Sequence, residues 1–362
     1  MSRLVMGAGR LAFVGAVVLS VTGGGLAVVP PAHAATPRYT LSVGPDAVQR
    51  YLGVNGNGDI IGTGQQVGAQ NGEGFVIKAG TNTPVFLSTA GDPGNTAQFT
   101  TPHSISDDGV VVGDIFPFNT SIHRAARWSV AGATGVDLGV DPSQPFFDVE
   151  ATAVNGGGLV AGRTVDPASK VTAWTVTGTT ITKLPFLPGG AQGRALAVNG
   201  TGLAVGSSAI STTVVSAAAW QNGQVRDLGL LPGGDFAEAD AVNSAGVAVG
   251  VSNTAPGGDG AGLHAVKFSG GTVTDLNIPG TTALANATAT GINDSGVIIG
   301  SLPNGGAYVY RDGVATDLNT LIPPNSGFHI TKATGINNNG VIVGIAQKGF
   351  GGRTFGVVLT PA

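Results

Sequence analysis

Ile336-Asn337-Asn338-Asn339-Gly340-Val341-Ile342-Val343-Gly344 is the stretch on which the reading of this chain turns. A β-branched residue leads into Asn, Gly follows three residues later, an aliphatic triplet comes next, and a second Gly closes the unit. The frame recurs at Val54-Asn55 with Gly58 and Gly62, and at Ile105-Ser106 with Gly109 and Gly113. It returns at Val154-Asn155 with Gly158 and Gly162, and at Val198-Asn199 with Gly202 and Gly206. Val242-Asn243 with Gly246 and Gly250, and Ile292-Asn293 with Gly296 and Gly300, complete seven copies. The Asn positions, with Ser106 standing in once, lie 44 to 51 residues apart. That period suits one four-stranded sheet per repeat, as in a propeller blade.

Each unit reads strand by strand. Two residues before the Asn stand Gly53, Ser104, Ala153, Ala197, Ala241, Gly291 and Gly335. Small residues alternating with Val or Ile describe a strand with one crowded face, as the innermost strand near a propeller axis would have. Asn-x-x-Gly is then a hairpin loop: the Asn side chain accepts from the turn backbone, and the Gly supplies positive φ. The closing Gly marks a bulge or a close backbone approach. A third strand carries one aromatic per unit, at Phe75, Trp128, Trp174, Trp220, Phe268, Tyr310 and Phe355. A fourth carries Asp137, Asp227, Asp275 or Asp317, read as structural strand-end residues.

The seventh unit lacks its fourth strand, and Tyr39-Thr40-Leu41-Ser42-Val43 supplies it from the other end. A split repeat is what a closed ring needs. The expected fold is all-β, a seven-bladed β-propeller of four-stranded blades whose ring is closed by the N-terminal strand. An open β-solenoid is the alternative, and it would show capping repeats instead of a split one.

Composition agrees. The chain has 362 residues, 61 of them Gly and 20 Pro, with 42% hydrophobic and 10% charged residues. That is turn-rich β protein, too apolar for disorder. Arg3 and Arg10, an apolar run from Leu11 to Val29 and Ala32-His33-Ala34 form a secretory signal pattern. The expectation is cleavage after residue 34, a single propeller domain over residues 35–362, and a secreted, extracellular and monomeric protein with no membrane attachment afterwards. The 15 basic residues left against 21 acidic ones give a net charge of −6, which argues against a nucleic-acid partner. With no Cys, disulfides and thiol catalysis are excluded.

The joined signals resemble the extracellular HAF repeat family, whose units run from an Ile-Asn-x-x-Gly hairpin through His-Ala-Phe to Asp-Leu-Gly and Leu-Pro-Gly-Gly. Ile292 to Gly300 and Ile336 to Gly344 carry the hairpin, and Asp227-Leu228-Gly229-Leu230-Leu231-Pro232-Gly233-Gly234 carries the second half. The name-giving segment is degraded: His264-Ala265-Val266 comes nearest, and Arg124-Ala125-Ala126 or Thr172-Ala173-Trp174 replace it elsewhere. The resemblance implies secretion and repeat structure, and no reaction.

Chemistry is sparse. His103, His123, His264 and His329 sit at no metal-ligand spacing, so no metal or cofactor is expected. No nucleophile elbow occurs. Asn55-Gly56-Asn57-Gly58-Asp59 has too few carboxylates for a calcium loop and reads as a turn. Function is sought in the variable connections on one face. These hold Phe116, Phe118 and His123; Phe146, Phe147 and Asp148; Phe236, Glu238 and Asp240; and Asp259. Exposed aromatics beside carboxylates suit a sugar or a peptide. Packing beneath long loops is the preferred reading for Phe116, Phe146 and Phe236. The leading expectation is a secreted non-catalytic module binding an extracellular polysaccharide or protein. The alternative is a glycan hydrolase or lyase using Asp148, Glu150, Glu238 and Asp240 at the funnel.

Overall fold

The computed structural model describes residues 39–65, 72–89, 98–117, 123–138, 148–178, 180–258, 262–282, 285–349 and 352–362. Phe118, Phe146, Phe147, Asp259 and the N-terminal signal pattern lie outside them.

Blade 3 shows the plan. Asp148–Val154 is innermost, followed outward by Val160–Val165, Val171–Thr177 and Thr180–Lys183, each antiparallel to the last. Blades 1, 2, 4, 5 and 6 begin with Val48–Val54, Gln98–Ile105, Gly193–Val198, Ala237–Val242 and Thr288–Ile292 in the same role, and blade 2 gains Ser88–Thr89 as an outer fifth strand. Blade 7 consists of Phe328–Ile336, Ile342–Lys348 and Thr354–Pro361, with Tyr39–Val43 as its outermost strand. That strand pairs from Tyr39 with Pro361 to Val43 with Val357. The innermost strands touch one another around the ring, including blade 7 against blade 1. The fold is therefore the seven-bladed propeller, and the open solenoid is ruled out.

The repeat residues explain the geometry. All seven Asn-x-x-Gly glycines have φ between 75° and 89°, the left-handed region a hairpin of this type requires. Every innermost strand bulges at the residue three before the Asn position: Leu52, His103, Thr152, Leu196, Asp240, Thr290 and Thr334. The bulge pushes a carbonyl against the neighbouring strand, and the closing glycine receives it. A Cβ at Gly62, Gly113, Gly162, Gly206, Gly250, Gly300 or Gly344 would stand 1.8–2.1 Å from that oxygen. The small residues are also forced, since a Cβ at Gly335 would lie 3.1 Å from the Gly53 Cα of the next blade.

The Asn residues close the ring as well as the hairpins. Asn155 Oδ1 accepts from Gly157 and Leu159, while its Nδ2 donates to the Asn199 carbonyl of the next blade at 2.9 Å. Asn199, Asn243 and Asn293 repeat this inter-blade bond, and Asn337 donates to Asn55 across the closure. Asn55 donates to Ser106. Only Ser106, which has no amide, breaks the chain of bonds; its hydroxyl is spent on Asp108 and Val110.

Between blades lies the core. Phe75, Trp128, Trp174, Trp220 and Phe268 are fully buried there. Tyr310 and Phe355 lie on the third strands of blades 6 and 7 as expected but are only partly buried; the fully buried aromatic of blade 6 is its strand neighbour Tyr308, and in blade 7 Val357 and Leu359 are buried.

Candidate functional site

On each innermost strand, which lines the centre of the ring, the bulged residue and the residue two before it stay at least partly exposed while the residue between them is buried. Blades 1, 6 and 7 place Thr, Leu or a lone cation there. Blades 2 to 5 instead carry His103 in blade 2, Glu150 in blade 3, Arg194 in blade 4, and Glu238 with Asp240 in blade 5. The second strands add Asp114, Arg163 and Ser207 beside them.

Charges in this wall are largely paired. Both Arg163 nitrogens reach Glu150, each bond 2.7 Å long, and this pairing raises the guanidinium's pKa further. Arg194 forms an ion pair with Glu238, whose Oε2 also accepts the Ser207 hydroxyl at 2.8 Å. Asp114 receives His103 Nε2 at 2.9 Å. Burial disfavours the Asp114 carboxylate, but His103 and His123 outweigh burial and hold its pKa below the ordinary value. Burial also works against the His103 imidazolium, yet the Asp114 hydrogen bond leaves its pKa raised. For His123 the interaction with Asp114 dominates and raises it as well.

Asp240 differs. Among the described residues it takes no hydrogen bond. Desolvation and the Glu238 charge push its pKa well above the usual carboxylate range, with Arg194 pulling the other way. Its neutral form is thereby favoured over that of an ordinary carboxyl.

Beside this wall a cleft of about 470 Å³ opens where blades 3, 4 and 5 meet. Gln192, Arg194, Ser207, Ser211 and Thr212 offer it amide, guanidinium and hydroxyl groups, and Phe236 forms part of its floor. The site residues read from sequence thus divide. His123, Asp148 and Glu150 gather at the blade 2–blade 3 seam, where Asp148 Oδ1 accepts the His123 backbone N–H at 2.6 Å. Glu238 and Asp240 stand in the channel wall of blade 5. Phe236 is buried against Val251 and Leu263, the packing reading preferred for it. Phe116 is half-buried, its ring 4.9 Å from that of His123 and 6.3 Å from that of Phe99. Arg163, Arg194, Ser207, His103 and Asp114 were not singled out. A signal existed for His103, which stands at a frame position that most other repeats fill with Thr or Leu.

Other polar residues serve the scaffold. Asp59 accepts from Asn55 and Ala79, so the Asn-rich loop is a turn. His264 pairs with Asp275 at 2.7 Å, Arg124 with Asp137, and Ser216 with Asp227 at 2.5 Å. The degenerate His position is hence a donor to the fourth-strand Asp, a task that several side chains perform.

No protein-family model and no curated protein matches the chain by sequence. Solved structures match by fold. The β-propeller domain of the Trilobed protease from Pyrococcus furiosus superposes with a TM-score of 0.53 at 12% identity, over 89% of this chain and 93% of that one. It is described as having an open velcro topology, whereas here Tyr39–Val43 closes the ring. One of two prolyl endopeptidases matches with a TM-score of 0.51 at 9% identity, over 86% of this chain. Prolyl oligopeptidase B from Galerina marginata matches with 0.50 at 11% identity, also over 86%. This chain spans 47% and 46% of those two enzymes, respectively. At such identities the likeness establishes the fold alone.

Proposed function

We propose that this protein is an exported, non-catalytic propeller of the HAF repeat kind, and that it binds an extracellular polysaccharide or protein at the face carrying the cleft. The observation that carries the reading is the pairing of the channel carboxylates. Glu150 is engaged at both oxygens by Arg163, and Glu238 is engaged by Arg194 and Ser207. An acid–base pair needs two carboxyls free to exchange protons with a substrate, and of Glu150, Glu238 and Asp240 only Asp240 is free of a side-chain hydrogen bond or ion pair among the described residues. The cleft offers hydroxyls, an amide and a guanidinium fork over an aromatic floor, the mixture that orients polar, ring-bearing ligands. Peptide is the second ligand class, since peptidase propellers are among the structural neighbours.

A hydrolase or lyase reading has one supporting feature. Asp240, whose pKa burial and the Glu238 charge raise, has the character of a general acid.

The test is a binding screen against arrayed cell-wall and plant polysaccharides and against secreted proteins, repeated with Arg194→Ala and Gln192→Ala. Binding to one ligand class, weakened at least ~10-fold by both substitutions, supports the reading, about the loss of one charge-assisted hydrogen bond. Binding indifferent to both would remove the cleft from the account.

A further inference from the structure

The binding reading draws on the blade 2–blade 3 cluster only for the pairing of Glu150 with Arg163, and the cluster's buried atoms are incompletely satisfied. Asp114 is 5% exposed. His103 Nε2 occupies its Oδ2, but its Oδ1 is buried without a hydrogen-bond partner. His123 Nδ1 is also buried without a partner, 3.6 Å from Asp114 Oδ2, which is beyond a hydrogen bond. Glu150 enters from the neighbouring blade. One ligand-capable atom from each of Asp114, His123 and Glu150 lies within 4.8 Å of the other two. Folded proteins seldom strand buried polar atoms, and here two of them belong to neighbouring side chains of one cluster.

We propose that Asp114, His123 and Glu150 bind a divalent transition-metal cation of the Zn2+ class. Imidazole and carboxylate oxygen are both donors such ions take, and three protein ligands leave a position open. Ca2+ asks for six to eight oxygens and finds no such shell in this donor set. The surroundings fit ligand duty. His103 grips the second Asp114 oxygen and acts as a positioning residue, orienting the carboxylate. Asp148 fixes the His123 backbone. Arg163 takes one lone pair from each Glu150 oxygen and leaves another on each. Two carboxylates are thereby brought to the ion, with one guanidinium moderating their charge.

This proposal stands apart from the ligand of the cleft and is tested separately, by calorimetric titration of the purified, metal-stripped protein with Zn2+. A parallel titration with Co2+ reads the visible absorption that imidazole and carboxylate ligation gives. His264→Ala is the control, because His264 pairs only with Asp275 in blade 5. The expected result is one equivalent of Zn2+ bound, a raised melting temperature, and affinity lowered at least ~10-fold in Asp114→Asn and His123→Ala but unchanged in His264→Ala. Folded wild-type protein that takes up neither ion stoichiometrically overturns the proposal, as does binding equally strong in His123→Ala and Asp114→Asn. If either variant fails to fold, the wild-type Co2+ spectrum decides: ligand-field bands support the site, and their absence overturns it.

Discussion

Asparagine, not aspartate or serine, heads these hairpins because the position has two tasks. Its Oδ1 must accept from the turn and its Nδ2 must donate to the next blade, and only a side-chain amide does both. The accepting half was legible in the repeat, because its partners lie within four residues. The donating half was not, since its acceptor sits a whole repeat away. Ser106 is the natural gap in the series. Ser106→Asn should supply the missing bond to the Asn155 carbonyl and stabilise the fold by roughly 1 kcal/mol, read as a higher urea midpoint at unchanged slope. A lower midpoint would mean that the Ser106 bonds to Asp108 and Val110 outweigh the restored link. Asp240 makes the second residue-scale prediction. Burial first, and the Glu238 charge second, raise its pKa in the fold well above the ordinary 3.8 of an aspartate. The folded chain therefore binds that proton more tightly than the unfolded one. The resulting stability is fully present below pH 3.8 and is lost as pH rises through the folded pKa. Asp240→Asn should remove this decline and make the protein more stable than wild type at neutral pH. Denaturation midpoints taken across pH check it, and a variant less stable at pH 7 would count against a desolvated Asp240.

At the scale of the strand, one bulge accounts for three features of the repeat: the closing glycine, the small residue before the hairpin, and the placement of the channel side chains. Gly162 illustrates the constraint, with a Cβ there 2.1 Å from the Glu150 carbonyl and 2.3 Å from the Trp174 ring. Gly162→Ala should cost about 3 kcal/mol or more. Gly156→Ala, in the hairpin of the same blade with nothing within 4 Å, should stay within about 0.5 kcal/mol of wild type. Thermal melts of the two variants side by side make the comparison, and equal effects would refute the bulge explanation. The glycine pattern announced a close approach in advance. It did not say that the unpaired residue would face the channel, and so His103 and Arg194 escaped notice. In blade 6 two aromatics share one face, Tyr308 opposite Gly300 and Tyr310 opposite Ile298, and spacing alone does not say which is the more buried.

For the whole molecule, closure depends on five residues from one end of the chain pairing with the last strand. Removing Tyr39–Val43 would expose the Thr354–Pro361 edge and leave Arg311 without the Tyr39 hydroxyl it donates to. An unpaired edge of this length invites association, so the shortened protein should melt earlier and form dimers or larger species in light scattering. A monomer with unchanged melting would show that the ring does not need its clasp. The seven-fold plan was readable because each blade repeats its own instructions. The site was not, because its members come one or two per blade and only ring closure assembles them. The central claim is that this assembled wall binds without reacting. The most direct measurement is mass spectrometry of the ligand found in the screen after long incubation with stoichiometric protein. Ligand recovered intact, with binding retained in Asp240→Asn, is the predicted result. Cleaved ligand, with cleavage abolished in Asp240→Asn, would contradict it and make Asp240 a catalytic acid.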